Sequence, residues 1–575
     1  MSKVNLTIDG VKVCVEEGAT ILEAAKKAGI KIPTLCHLPE IQSIGACRMC
    51  LVEVKGSPKL LPACVTPVSE GMEVKTTTPS LREARRFVLE LILSTHPADC
   101  FTCVRNGNCE LQNLAAELGL RQISYPGERS NGKKDLSNPS IVRDNGKCIL
   151  CRRCVSMCYE VQGVGVIFPQ KRGFETSIAP PFDLELADVA CTFCGQCVVV
   201  CPVGALSEKE YIEEVWQALA DPEKFVVVQT APAIRAAIGE EFGFEPGTCC
   251  TGKLAAALRR MGFDRVFDTQ FGADLTIVEE ANELLERIKN GGVLPMMTSC
   301  CPGWIKFIEH FYPDLLQHPS TCKSPHQMLG AIAKTYYAEK IKVPPEKMYV
   351  VSVMPCTAKK FEAEREEMRS SRYKDVDAVI TTRELARMIK QAGIDFANLP
   401  DEKFDEPLGI STGAATIFGN TGGVMEAALR TAYEIATGKE LKEVEFKKVR
   451  GWEGIREAEI ELNGSRIKVA VAHGLSNAAR ILEKIKRGEC DYHFVEIMAC
   501  PGGCIGGGGQ PYAPMEVRKK RIEALYQEDR AMGIRKSHEN PAIRKLYEEF
   551  LGEPLGEKSH HLLHTHYKKR GVKVF

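Results

Sequence analysis

The spacing of hydrophobic and polar positions changes several times along the chain. Alternating stretches at residues 4–8 and 11–15 flank Asp9-Gly10, which predicts a β-hairpin. Residues 20–28 and 81–93 carry helical patterns, and Gly29 ends the first. From about residue 210, β-branched runs at 224–230 and 348–354 predict buried parallel strands, and 254–261 and 274–289 predict helices. These patterns predict a multidomain chain of α+β and α/β class, because 575 residues exceed what one core supports.

Composition and charge exclude several classes of function. Lys+Arg and Asp+Glu are equal at 75 each, so the near-zero net charge predicts no nucleic-acid partner and no anionic membrane surface. No apolar run approaches the ~18 residues that a membrane span needs. The first residues show no secretory signal, and we expect a cytoplasmic protein. In a reducing compartment, 25 clustered cysteines are expected to be metal ligands rather than disulfides.

Residues 1–78 are predicted to form a [2Fe–2S] domain. Cys36, Cys47, Cys50 and Cys64 follow the hairpin and helix patterns, as in a β-grasp domain of plant-type ferredoxin character. The first gap between these cysteines is longer than in the plant pattern. It is closer to the ferredoxin domain of the large iron–sulfur subunit of complex I. Cys14, within the hairpin, is expected to be a core thiol.

Residues 79–125 carry one histidine and three cysteines at ligand spacing. His96, Cys100, Cys103 and Cys109 could hold zinc, since that donor set suits it. The flanking ferredoxin patterns favour a [4Fe–4S] cluster with one imidazole ligand. A neutral ligand should raise the reduction potential of the cluster, which suits electron entry or branching.

Residues 126–209 contain two cysteine runs of the bacterial two-cluster ferredoxin type. In that pattern the fourth cysteine of each run crosses to the other [4Fe–4S] cluster. One cluster is therefore expected on Cys148, Cys151, Cys154 and Cys201, and the other on Cys191, Cys194, Cys197 and Cys158.

Three later segments, within a domain expected at residues 210–512, carry the remaining chemistry. They are residues 298–304, residues 354–360, and a loop in which Cys500 and Cys504 are set among six glycines. Together they resemble the three signature motifs of [FeFe]-hydrogenases, and the resemblance spans nearly the whole chain. It implies reversible conversion of two protons and two electrons to H₂ in an α/β catalytic domain.

The resemblance also implies the catalytic cofactor. This would be a cubane [4Fe–4S] joined to a di-iron unit that carries CO, CN⁻ and a bridging dithiolate and is supplied by maturation proteins. Its implied cysteine ligands are Cys301, Cys356, Cys500 and Cys504, and Cys504 bridges to the di-iron unit.

Further residues match the pocket of the family. Lys359 would pair with one cyanide, Ala231 and Pro232 would lie near the other, and Met354, Met498, Phe418 and Gly419 would line the di-iron unit. Cys300 would donate protons through a relay of Glu280, Ser320, Glu283 and Arg287. Glu280, Glu283 and Arg287 share one helix face, a pattern that alone is more typical of a solvated charged stripe. His326 is expected near the site, where we hypothesise an effect on oxygen tolerance or catalytic bias.

Residues 513–575 are charged, helical in pattern and cysteine-free, and resemble the small subunit of some hydrogenases. Their clustered histidines are expected to be solvated or packed rather than metal-binding. Cys249, Cys250, Cys322 and Cys490 are expected to be core thiols, with a redox role left open for the Cys249-Cys250 pair.

Two versions of the hydrogenase hypothesis concern its electron partner. One is a stand-alone enzyme that exchanges electrons with ferredoxin. The other, favoured by the C-terminal segment, is the catalytic subunit of an NAD(P)-linked or electron-bifurcating complex. Because no Gly-rich dinucleotide fingerprint is evident, flavin and NAD(P) would bind to iron–sulfur partner subunits.

Two alternatives come from other classes of protein. A non-catalytic, hydrogenase-like iron–sulfur assembly protein would not need Cys300, Lys359 and Glu280. An electron-transfer subunit of complex I type would leave the motifs after residue 209 unexplained.

Overall fold

The computed structural model describes residues 2–125, 127–128, 132–462 and 464–572. The domain boundary expected at residue 126 lies outside these residues. Five β-sheets of two to five strands organise the described chain. Among the described residues, no helix is both long and apolar enough to cross a membrane.

The N-terminal sheet contains the predicted hairpin. Its strands, in spatial order, are Val11–Glu16, Lys3–Ile8, Glu73–Lys75, Leu51–Val54 and Leu61–Pro62. Asp9 and Gly10 both have positive φ, the conformation that this two-residue turn requires. The helix Ile21–Lys27 begins with a capping box of Thr20 and Glu23. Cys14 alternates with the buried Val13 and Val15 and is only half-buried, so the prediction of a core thiol was wrong.

Two small units follow this sheet. Helices Pro79–Ser94 and Glu110–Glu117 flank the His96 segment. The next unit has a three-stranded antiparallel sheet of Leu206–Glu208, Ile141–Asp144 and Lys134–Asp135, and a hairpin of Phe168–Gln170 and Ser177–Ala179. Its short helices Arg153–Ser156 and Gln196–Val199 each begin inside a cysteine run, so the ends of both runs turn back toward the interior.

The large domain is built on two four-stranded sheets. The first is parallel, in the order Arg265–Asp268, Phe225–Thr230, Met348–Met354 and Ala378–Thr381. The second is Met296–Met297, Phe494–Met498 and Ser465–His473 in parallel, with Ile455–Leu462 antiparallel at the edge. The predicted strands at 224–230 and 348–354 are confirmed, and their parallel pairing matches Val227 with Val350. Val227 and Val351 are fully buried, and the burial of each such side chain stabilises the fold by about 1.5–3 kcal/mol.

Helices cover both sheets of the large domain. Those of six residues or more are Ile212–Ala220, Thr251–Arg260, Thr269–Asn290, Pro302–Phe311, Pro325–Ile332, Ala358–Ala363, Thr382–Gln391, Gly423–Thr437 and Leu475–Lys486. Shorter ones are Pro232–Arg235, Ala338–Ile341 and Gly413–Thr416. The helix Thr269–Asn290, called the central helix below, has 22 residues, most of them buried.

The C-terminal segment packs on the large domain through three helices, Met515–Ala531, Pro541–Leu546 and Glu557–Leu563. Asp529 forms a fully buried ion pair with Arg430 at 2.9 Å, and His564 forms an antiparallel bridge with Cys322. These contacts make the segment part of the same packed unit as the two sheets.

Candidate active site and cluster cavities

A cavity lies where the two large sheets meet. Chain segments that follow the carboxyl ends of the strands build its wall, as parallel sheets generally arrange their sites. The predicted ligands Cys301, Cys356, Cys500 and Cys504 all line it, together with Cys300. Ala231, Pro232, Met354, Met498, Phe418, Gly419 and Lys359 line it as well. Four thiols around one apolar cavity are the donor set that an iron–sulfur cluster needs, and the residues present fit the implied cofactor.

Local sequence explains how two of the walls form. Cys301 is the N-cap of the helix Pro302–Phe311, whose first position is a proline with a preset φ. The amino end of this helix carries a partial positive charge that favours an anionic group in the cavity. Ala231 stands in the same relation to the short helix Pro232–Arg235.

The glycines of the Cys500 loop serve close backbone contacts. Gly503 has φ +97°, and a Cβ atom there would lie 2.6 Å from the amide nitrogen of Thr421. A Cβ on Gly508 would lie 2.6 Å from the carbonyl oxygen of Cys194, in the second cysteine run. The loop therefore rests directly on the neighbouring cluster-binding unit.

Lys359 belongs to a buried charge network at the cavity wall. Its Nζ donates to the carbonyl oxygen of Cys300 at 2.9 Å and to Oε2 of Glu362 at 2.7 Å. His326, which also lines the cavity, lies 2.6 Å from the same carboxylate oxygen through Nε2. Burial and Lys359 lower the pKa of His326 to about 4, whereas Lys359 and His326 hold the pKa of Glu362 at about 2, against the effect of burial. A neutral imidazole therefore donates from Nε2 to an ionised Glu362.

Sequence reasoning missed Glu362. It stands three residues after Lys359 on the helix Ala358–Ala363, so helical spacing alone would have placed the two side chains together.

The predicted proton-relay residues lie between the cavity and the surface. Burial, and then the nearby Glu280, raise the pKa of Cys300 well above its ordinary value, so its thiol stays protonated. Burial and Glu283 raise the pKa of Glu280 to about 8. In the described part of the chain, neither carboxylate oxygen of Glu280 has a partner in hydrogen-bonding geometry. The Ser299 amide and the Ser320 hydroxyl lie close enough to lower the pKa of Glu280 slightly.

The outer half of the relay is joined by direct hydrogen bonds. Ser320 Oγ donates to Oε2 of Glu283 at 2.7 Å, and Arg287 Nη2 donates to Oε1 of Glu283 at 2.6 Å. Glu280, Glu283 and Arg287 all project from the central helix, and only Arg287 reaches partial exposure. The arrangement sets acid–base groups in a row from the Cys300 thiol at the cavity wall to Arg287 at the edge of the domain.

Two smaller cavities lie in the unit that carries the Cys148 and Cys191 runs, called the second unit below. Each cavity is lined by one of the crossed cysteine sets. One cavity is lined by Cys158, Cys191, Cys194 and Cys197, and the other by Cys148, Cys151, Cys154 and Cys201. Burial raises the pKa of Cys151 and of Cys191 to about 12. Four buried or half-buried thiols that line one cavity fit a [4Fe–4S] cluster.

The remaining predicted ligands converge less completely. The Cys47 amide donates to the Cys36 thiol at 3.4 Å. The thiols of Cys36 and Cys47, and those of Cys50 and Cys64, lie close enough to shift each other's pKa, and Cys64 lies near both members of the first pair. Cys103 and Cys109 also lie near each other, and Cys100 is on the 3₁₀ turn that leads to Cys103. His96 has a buried Nδ1 without a hydrogen-bond partner among the described residues, which suits a ligand nitrogen.

Contacts also arrange the five cysteine groups relative to one another. Cys194 lies near Cys301 and Cys500 of the large cavity. Gln42 Nε2 donates to the carbonyl oxygens of Cys36 at 2.6 Å and Cys151 at 2.9 Å. From the His96 segment, Arg105 donates to the carbonyl oxygen of Cys201 at 3.1 Å. The [2Fe–2S]-type and His96-type groups thus both adjoin the Cys148 cavity.

The unassigned cysteines occupy varied environments. Cys250 and Cys322 are buried, as expected of core thiols, whereas Cys490 is half-buried and Cys249 is exposed. The expectation of a core thiol at Cys249 was wrong, because it stands just before the helix Thr251–Arg260 at the domain surface.

Family models match five parts of the chain. Residues 224–508 match the C-terminal domain of the iron-only hydrogenase large subunit, and residues 515–570 match the iron hydrogenase small subunit. Residues 1–79 match a 2Fe-2S iron–sulfur cluster binding domain. Residues 85–124 match the iron–sulfur binding region of NADH-ubiquinone oxidoreductase G, and residues 147–205 match a 4Fe-4S dicluster domain. The chain therefore carries 2Fe-2S and 4Fe-4S domains together with a hydrogenase domain.

Whole-length relatives give the same result. The chain is 57% identical to the NADP-reducing hydrogenase subunit HndD of Solidesulfovibrio fructosivorans, over 99% of this chain and 100% of the relative. It is 43% identical to iron hydrogenase 1 of Clostridium pasteurianum, over 98% and 100%. The solved apo [FeFe]-hydrogenase from Chlamydomonas reinhardtii matches with a TM-score of 0.57 at 46% identity, over 63% of this chain and 100% of that one. The chain belongs to the iron-only, or [FeFe], hydrogenase family.

Proposed function

We propose that this hydrogenase chain is the catalytic subunit of an NAD(P)-linked complex. The observation that carries the proposal is 57% identity, over essentially the full length of both chains, to a relative named as a subunit of an NADP-reducing hydrogenase. Flavin and NAD(P) would bind to iron–sulfur partner subunits, with ferredoxin as a further electron partner. No two of the 25 cysteines are joined in a disulfide, which is consistent with a reducing, cytoplasmic location.

The accessory clusters form a branched electron route in this proposal. Cys36, Cys47, Cys50 and Cys64 would hold one [2Fe–2S], and His96, Cys100, Cys103 and Cys109 one [4Fe–4S]. Both groups adjoin the Cys148 cavity through Gln42 and Arg105. That cavity and the Cys191 cavity would hold one [4Fe–4S] each, and the Cys191 cavity borders the catalytic one through Cys194. Electrons from two entry points would meet before they reach the active site.

The catalytic cavity would hold a cubane on Cys301, Cys356, Cys500 and Cys504, with the di-iron unit beside Cys504. When bound, this cofactor supplies the iron chemistry by which H₂ is formed or split. The chain supplies the setting. Lys359 presents a positive charge that suits an anionic cyanide ligand, and Glu362 holds its ammonium group in place. The apolar wall of Ala231, Pro232, Met354, Phe418 and Met498 keeps water away.

Protons would move along residues of the chain itself. Cys300 stays a neutral thiol at ordinary pH, so it can donate a proton into the cavity and take another from Glu280. Glu280 has a pKa of about 8, so it carries a proton at neutral pH and can give it up at modest cost. Ser320 links this region to Glu283, and Arg287 holds the outer carboxylate in position.

A comparison of electron donors tests the assignment to a complex. The anaerobically purified, matured chain alone should evolve H₂ from reduced viologen, evolve little from reduced ferredoxin, and not reduce NADP⁺ with H₂. Addition of the partner subunits should restore NADP⁺ reduction. Fast evolution from ferredoxin by the chain alone would instead support a self-sufficient ferredoxin hydrogenase.

A further inference from the structure

The outer end of the proposed relay poses a problem of proton exchange. Arg287 donates to Oε1 of Glu283 from both Nε, at 3.1 Å, and Nη2, at 2.6 Å. A guanidinium group does not lose its proton under conditions in which proteins fold. Arg287 can therefore hold Glu283 in position, but it cannot take a proton from it and release that proton to water. Glu283 is itself only 8% exposed, so another group is needed for fast exchange with solvent.

A histidine from the C-terminal segment lies close to this carboxylate. Single donor atoms of Glu283, Cys322 and His564 lie within 4.8 Å of one another, and all three residues are buried. The Cys322 thiol lies 3.9 Å from Oε2 of Glu283 and donates toward it. Imidazole is the side chain whose ordinary pKa lets it both accept and release a proton near neutral pH.

His564 is held firmly and faces acidic groups. One ring nitrogen, Nδ1, lies 2.8 Å from the hydroxyl of Thr321, and Nε2 lies 3.2 Å from Oε2 of Glu279. Glu279 also accepts a hydrogen bond from the Tyr547 hydroxyl. Charged or titratable neighbours of His564 include Glu279 and Glu283 from the central helix, Cys322 from the loop before the helix Pro325–Ile332, and His560 four positions earlier in the chain. Two carboxylates of the central helix thus lie beside the ring.

The path continues to the surface through a second histidine. The His560 and His564 rings are 4.4 Å apart between centroids, at an interplanar angle of 40°. His560 is exposed, whereas His564 is buried. The pair therefore connects the buried side of Glu283 with solvent.

We infer that His564 exchanges protons between Glu283 and solvent, with His560 at the outer end. This inference rests on the proposed relay. During H₂ oxidation, protonated Glu283 passes its proton to a neutral His564, and the resulting imidazolium releases it to water beside His560. During H₂ evolution the same steps run in reverse. The C-terminal segment is then part of the proton path as well as of the fold.

Two substitutions in the matured protein test the role of His564. His564→Gln keeps a group that can accept from Thr321 and donate to Glu279, but it cannot titrate. We expect H₂ evolution from reduced viologen to fall at least about 10-fold, because a positioned acid–base group typically contributes this much or more. In His564→Ala, added imidazole should restore part of the rate in a concentration-dependent way. His561→Gln, exposed on the same helix, is the matched control and should behave like wild type.

The readouts separate a proton-transfer role from a structural one. Iron content and the infrared bands of the bound cofactor should be unchanged in His564→Gln. Wild-type turnover in His564→Gln would overturn the inference while leaving the relay intact, provided that Glu283→Gln is slow. A slow His564→Ala that imidazole does not restore would also overturn it. Wild-type turnover in Glu283→Gln would remove the relay itself, and the inference with it.

Discussion

The cluster cavities of the second unit and the catalytic cavity share one donor set but differ in what surrounds it. Each has four cysteines, yet the smaller two are lined by no carboxylate and no histidine among the described residues. The larger one adds Cys300, Lys359 and His326, with Glu280 behind them. Electron transfer needs only metal ligands and a packed wall, whereas the conversion of protons to H₂ needs buried groups that titrate.

The two regions also differ in how their charges are used. Arg143 lines both smaller cavities, where it forms ion pairs with Asp135 at 3.8 Å and with Asp183 at 3.4 Å. A fixed cation there acts on cluster potential rather than on proton movement. At the large cavity Lys359 is likewise paired, with Glu362, but the buried carboxyl group of Glu280, near the Cys300 thiol, has no ion-pair partner among the described residues.

Replacement of Glu280 tests the role of titrating groups at the large cavity and should give the largest effect. Glu280→Gln should lower H₂ evolution by roughly 100-fold or more, since the amide cannot carry the relayed proton. In wild type the Glu280 carboxyl is protonated below its pKa of about 8, so turnover should fall as pH rises through that value. A pH–rate profile with viologen measures both effects. An unchanged rate, or the same inflection in Glu280→Gln, would remove Glu280 from the proton path.

Loss of the ion pair between Arg383 of the large domain and Glu208 of the second unit should give the next largest effect, a decrease in stability. Arg383 pairs with Glu208 at 2.6 Å and donates to the carbonyl oxygens of Gly508 and Gln510, and the pair is almost wholly buried. Arg383→Met leaves Glu208 with only the partly exposed Arg387, which should cost about 3–5 kcal/mol of unfolding free energy. Urea unfolding followed by cluster absorbance gives the midpoint shift. Lys347→Ala, which removes an exposed pair with Glu223, is the control and should leave the midpoint unchanged.

The electron side should give the smallest effect. Arg143→Gln removes a positive charge beside both [4Fe–4S] sites, so both clusters should become harder to reduce, by some tens of millivolts. Potentiometric titration followed by electron paramagnetic resonance measures the shift. Arg172→Gln removes an exposed arginine of the same unit and should shift neither potential. A shift confined to the catalytic site would contradict the placement of Arg143 between the two accessory clusters.

Much of the site was predictable because its functional residues occur at characteristic short spacings along the chain. The Cys-x₂-Cys-x₂-Cys-x₃-Cys runs carry the crossed sets that line the two smaller cavities. The strand pattern at 348–354 gave the bounds Met348–Met354 observed in the structure, and Glu283 and Arg287 pair at helical spacing. Each of these features depends on residues fewer than about ten positions apart, or on a cluster that demands four ligands.

What could not be predicted depends on contacts between distant segments. Nothing in the sequence around His564 indicates Glu279 or Cys322, which lie more than 240 positions away in the chain. The contact between His326 and Glu362 joins two separate helices, so spacing along the chain predicts Lys359 as a partner of Glu362 but not His326. The burial of Cys14 and Cys249 was also not predictable, because no ligand role fixes the position of these thiols and the surrounding fold alone determines their exposure.

We propose that the large cavity holds the hydrogen-activating cofactor, whereas the smaller cavities hold clusters that serve electron transfer. The most direct test is the infrared spectrum of the matured chain in the CO and CN⁻ stretching region, compared with that of Cys356→Ala. We predict iron-bound CO and CN⁻ bands in the wild type and their loss in Cys356→Ala. The electron paramagnetic resonance signals of the accessory clusters should be the same in the two proteins. Absence of the bands from the matured wild type, or their persistence in Cys356→Ala, would contradict the placement of the cofactor in the large cavity.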